Sequence, residues 1–111
     1  MNDAKTLFPE SDPVALAGHV SYDNDSIVSK TLRKTKAGTL TLFAFDKGQE
    51  LSEHSAPFDA YVQVLDGRVE LTIGGKPVVA SAGERVLMPA DIPHAVKAVE
   101  QFKMLLMMFK G

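Results

Sequence analysis

The sequence predicts an all-β domain folded as a sandwich or small barrel, and three observations point there. About nine short segments rich in β-branched and aromatic residues follow one another at turn-punctuated intervals. No stretch carries the sustained periodicity of a long amphipathic helix. The 111 residues, 45% apolar and 23% charged, suit one globular domain with a real core.

Taken in order, residues 1–25 read as an N-terminal arm and residues 26–111 as the barrel. Residues 1 to 12 are polar and form a loose lead-in. Asp12 is a good N-cap ahead of Pro13, and Gly18 can end a turn, so a short helix is expected over Pro13 to Ala17. His19 follows it alone and reads as a surface or packing residue. Ile27, Val28, Thr31 and Leu32 make the first strand, and Lys36, Ala37 and Gly38 a turn. Thr39 to Phe45 is a second strand, ended by Asp46, Lys47 and Gly48. Ala60 to Leu65 is closed by Asp66 and Gly67; Val69 to Ile73 then alternates cleanly. Gly74 and Gly75 signal a two-residue hairpin, with Lys76 to Ala80 returning. Arg85 to Met88 and His94 to Val99 flank a turn from Pro89 to Pro93. The last segment, Phe102 to Phe109, has helix-favouring Leu, Met and Lys. Its shortness and its lack of an N-cap or flanking glycine argue for a buried strand instead.

Composition narrows the function. A net charge of −2 gives no electrostatic grip on nucleic acid. Lys30, Arg33, Lys34 and Lys36 do cluster, but without interleaved aromatic residues for base stacking, and they read as a solvated strand edge and turn. Cysteine is absent, which excludes disulfides and thiol catalysis and fits a reducing cytoplasm. The first ten residues contain no apolar core for a signal peptide, and the longest wholly apolar run, Met104 to Phe109, is far too short to span a bilayer as a helix. A cytoplasmic protein, with neither nucleic acid nor membrane as partner, is expected.

The chemistry-bearing pattern is a pair of segments. Gly48, His54 and Gly67 form one; Gly83, Pro89 and His94 form the other. The spacing resembles the two motifs of the cupin superfamily, usually written G-x5-H-x-H-x3-4-E-x6-G and G-x5-P-x-G-x2-H-x3-N. The second histidine of the first motif is Ala56 here and the glutamate is Ala60. In the second motif Asp91 replaces the glycine and Ala98 the asparagine. The resemblance covers roughly residues 26 to 109 and implies a small, single-domain cupin of the conserved-barrel, RmlC-like kind. Its fold is the double-stranded β-helix, or jelly roll. Activity does not follow, since this fold hosts oxygenases, isomerases, epimerases, binders and storage proteins.

In the family, the histidine pair at i and i+2 faces one side of a strand, and the glutamate and last histidine complete a divalent-metal site. Only His54 and His94 survive here, so the resemblance implies at most a weakly bound metal, with exogenous ligands filling the shell. Glu53, Asp59 and Gln63 have the wrong strand parity to substitute, and Tyr61 would need a register slip. The two alanines also enlarge and dry the cavity. Phe43, Phe45, Phe58, Met88 and Met104 are its candidate walls around a small, partly apolar ligand held between His54 and His94. Two other functions stay open: a metal-dependent oxygenase or isomerase, and an effector-sensing module acting through a partner. Whether the chain is an enzyme is not decided by its residues.

A homodimer is also expected. Leu40, Leu42 and Ala44 oppose Phe43 and Phe45, and Met104, Leu106 and Met108 oppose Leu105, Met107 and Phe109. One barrel has one interior, so the second faces need cover from an N-terminal segment or a second subunit.

Overall fold

A computed structural model describes residues 11–110. Most of the polar lead-in lies outside the described residues. Eight strands follow: β1 (Ile27–Thr35), β2 (Gly38–Phe45), β3 (Glu50–His54), β4 (Asp59–Ile73), β5 (Lys76–Ser81), β6 (Arg85–Met88), β7 (His94–Lys97) and β8 (Phe102–Phe109). All pair antiparallel, in the order β1-β2-β8-β4-β7-β3, with β5 and β6 also on β4. The first half of β4 pairs with β8 and β6, the second half with β5 and β7. One strand therefore belongs to both walls of the jelly roll.

A bulge makes that sharing work. Val64 faces Met104 and Asp66 faces Lys103, so Leu65 is an extra residue on β4. The interior parity flips there: Ala60, Val62 and Val64 are buried before the bulge, Val69 and Leu71 after it. Gly67 completes the bend at φ 71°. A Cβ on it would lie 1.9 Å from the Gln101 carbonyl oxygen, so only glycine fits. The segments expected to be two strands closed by Asp66 and Gly67 are one, and the count is eight rather than nine.

The interior is a single apolar cluster. Phe45 stacks on Phe102 at 4.6 Å between ring centres, among Val62, Val64, Leu71, Val96 and Met104. β8 is a strand, as its length argued. Its partners β2 and β4 supply hydrogen bonds on both edges, and that tertiary pairing outweighs the helix preference of Leu and Met.

The arm packs on the outside of the larger wall. Its only described helical turn is a 3₁₀ turn, Leu16–His19, not a helix over Pro13 to Ala17. Asp12 does not cap it; Ala15 stands at the N-cap without a side-chain bond. Packing sets the placement: Leu16, Val20 and Tyr22 cover Leu42, Ala44, Leu65 and Leu105. Lys103 Nζ donates to the Ala17 carbonyl (2.6 Å), Lys30 Nζ to that of His19 (2.5 Å), and the Tyr22 hydroxyl to Asp66 (2.5 Å). Burial and that carboxylate raise the Tyr22 pKa. Among the described residues no helix is long and apolar enough to cross a membrane.

Candidate functional site

His54 ends β3 and His94 begins β7, and the two are direct cross-strand partners. Side chains at such a pair project to the same face. The rings meet edge to face, 4.5 Å between centroids and 67° between planes. His94 is only 5% exposed, whereas His54 is solvent-exposed, so the pair runs from the interior to the surface.

Both imidazoles are anchored alike. His54 Nδ1 lies 3.0 Å from the Ser52 carbonyl oxygen, and His94 Nδ1 lies 3.3 Å from that of Ile92. In each case the partner is the carbonyl two residues back. The turn that delivers His94 is itself held: Asp91 N–H donates to the Ala56 carbonyl (2.8 Å) and Gly74 N–H to that of Pro93 (2.8 Å). Asp91 adopts φ 64° at the motif's glycine position, so the left-handed turn survives the replacement. Burial pushes the His94 pKa below the ordinary imidazole value. The Ile92 carbonyl opposes that shift, and the charge of His54 adds to it.

The remaining expected residues divide. Phe45, Met88 and Met104 belong to the sealed core; Phe45 and Met104 are 0% and 1% exposed and leave no water-sized space against them. Phe43 is half-buried on that core, and Phe58 is half-buried beneath the ammonium of Lys110, 5.5 Å from its ring centre. Ala60 is buried and Ala56 half-buried. Of the excluded substitutes, Asp59 accepts from Ala90 N–H (3.0 Å), Glu53 is exposed, and Tyr61 lies under the Arg85 guanidinium at 5.2 Å. Ile73, which faces His94 from β4, escaped the sequence reading, because only the pairing register reveals it. Among the described residues no three His, Cys, Asp or Glu side chains are grouped to hold a metal. Two imidazoles beside two alanines do not fit the four-ligand metal site of the family motif.

This all-antiparallel jelly roll with a histidine pair at its rim defines a cupin-type barrel. The family model for the cupin domain matches residues 41–109, and the chain belongs to that family. A conserved protein of unknown function from Streptococcus pyogenes is 38% identical with a TM-score of 0.89, covering 94% of this chain and 91% of that one. A Cupin 2 conserved barrel domain protein from Leptotrichia buccalis is 45% identical with a TM-score of 0.83. That match covers 85% of this chain but only 46% of the Leptotrichia chain. A cupin superfamily protein from Desulfitobacterium hafniense, 23% identical, shares the fold with a TM-score of 0.87 over 93% of this chain and 94% of that one. No functionally curated protein matches.

Proposed function

We propose that this cupin binds a small, partly apolar molecule against the His54–His94 pair at the barrel mouth. One observation carries the reading: two imidazoles, one buried and one exposed, meet at 4.5 Å, and no described carboxylate joins them in a metal-holding group. Packing alone gives little reason to keep two polar rings together at a rim. The absence of cysteine is consistent with a cytoplasmic setting. The test is a thermal-shift screen of small molecules on wild type and His54→Ala, with elemental analysis of the untagged protein. Ligands that stabilise the wild type should lose about tenfold or more in affinity in the variant. Ligands indifferent to His54→Ala would overturn the reading. Stoichiometric transition metal lost on His54→Ala would favour a metal-dependent enzyme instead.

We further infer a two-fold homodimer through the larger wall. The arm covers one half of its outer face. Beyond the arm runs a cross-strand row of Met107, Tyr61 and Leu87, flanked by Phe109 and continued by Leu40 at the edge of the cluster the arm covers. Leu87 and Phe109 are 41% and 54% exposed. Along the strands Asp59 lies on one side of Tyr61, and Arg85 is paired with Gln63 on the other. A two-fold axis through this row brings Arg85 of one copy towards Asp59 of the next, which is the self-complementarity an isologous contact needs. With half the face already covered, an interface of about 1,600 Å² in total is the expected scale.

A further inference from the structure

We infer that the histidine pair recognises a neutral ligand through the ligand's own hydrogen-bond donors, of the class of a hydroxyl-bearing aromatic compound, and discriminates against carboxylates and donor-less analogues. The inference rests on the binding reading above and deepens it.

The argument runs from the backbone outward. A carbonyl oxygen has no proton to give, so each Nδ1 that bonds one must carry the hydrogen. The Ser52 and Ile92 carbonyls therefore set both neutral rings in the Nδ1–H tautomer, which leaves a lone pair on each Nε2. No described residue hydrogen-bonds either Nε2. The sealed, unpartnered side-chain atoms among the described residues comprise Thr39 Oγ1 alone, so His94 Nε2 is not closed off within the core. The pair thus presents two acceptors and no donor.

Chemistry then selects the ligand. An acceptor pair gains from hydroxyl or amine protons and repels the lone pairs of a carboxylate. No described carboxylate joins the two rings in a group that could hold a metal ion. The residue that β4 places directly beside His94 is apolar, Ile73. A flat apolar body bearing adjacent hydroxyls matches that combination.

The experiment uses the full chain, stripped of metal by a chelator that is then removed, at about pH 7.5, above the ordinary imidazole pKa. Long-range ¹⁵N–¹H spectra of the histidine rings read the tautomers directly, and the same spectra follow titrations with catechol, its dimethyl ether and benzoate. Expected are pyrrole-type Nδ1 and pyridine-type Nε2 in both rings, with catechol binding roughly tenfold or more tightly than the ether or benzoate. A pyridine-type Nδ1 in either ring overturns the inference. Equal affinity for catechol and its ether overturns the donor selectivity while leaving a binding pocket in place. Correct tautomers with no shift from any of the probes count against the pocket reading itself.

Discussion

Ala60 and Met88 stand opposite each other on β4 and β6, both buried, with Met108 paired to Ala60 from β8. The position where the family motif has an acidic ligand is thus an apolar contact in this chain. A carboxylate there would stand among apolar side chains.

Ala60→Glu alone should therefore destabilise the fold by about 2–4 kcal/mol at neutral pH, the cost of an unpaired buried acid. Together with Ala56→His it should recreate a four-ligand set and raise zinc affinity by at least an order of magnitude. Titration calorimetry reads the second effect and urea unfolding the first. Unchanged zinc affinity in the double variant would mean that these positions do not converge with His54 and His94.

Acid should weaken the fold through His94. Its pKa is lowered in the folded state, so between that value and the ordinary imidazole value the unfolded chain binds more protons. The stability this group contributes is complete above about pH 6.5 and is lost as pH falls through the folded-state pKa. Melting temperatures from neutral to mildly acidic pH should fall more steeply for the wild type than for His94→Gln, which cannot titrate. Parallel curves would remove His94 as the cause.

Two glycine variants separate backbone strain from crowding. Gly48 and Gly67 both have positive φ, but a Cβ on Gly48 meets nothing within 4 Å, whereas on Gly67 it meets the Gln101 carbonyl. Gly48→Ala should cost about 1–2 kcal/mol, and Gly67→Ala on the order of 3 kcal/mol or more. Chemical denaturation gives both, and equal losses would contradict the close approach of Gln101.

Leu87→Glu should raise the dimer dissociation constant about tenfold or more, with monomer stability nearly unchanged because the residue is exposed. Light scattering behind a sizing column across a dilution series measures it. A wild-type chain that stays near 12.0 kDa at micromolar concentration would leave the Tyr61 row without a second copy.

The fold was legible in this sequence because alternation and glycine spacing are local signals. Val69, Leu71 and Ile73 announced their buried face directly, and the Gly74–Gly75 hairpin has both residues at positive φ as that turn requires. The unity of β4 was not legible, since a glycine in a bulge and a glycine in a turn look alike in one sequence. The helical turn of the arm falls later than Pro13 for a different reason: Asp12 and Pro13 are a sound local helix start, but docking of Leu16 and Val20 on the sheet decides the outcome. The candidate site was half legible. Motif spacing pointed to His54 and His94, but their common anchoring to carbonyls two residues back depends on side-chain rotamers that spacing does not encode. Phe45 and Met104 were plausible by composition as cavity walls, yet stacking with Phe102 and pairing across β2, β8 and β4 leave them sealed.

The span of β4 across both walls also bears on how the chain folds. Four strands, β5, β6, β7 and β8, add to this one segment, and none but β5 is its neighbour in sequence. Neither wall can be completed while β4 is unplaced, so the two halves of the jelly roll have no independent route to the native state. Most of the stabilising closures are distant along the chain, which places folding in the slow, millisecond-to-second range typical of such β topologies. Stopped-flow refolding should accordingly show one cooperative transition. Tyrosine fluorescence from Tyr22 on the arm and Tyr61 on β4, separated by Tyr→Phe variants, should then report the same rate.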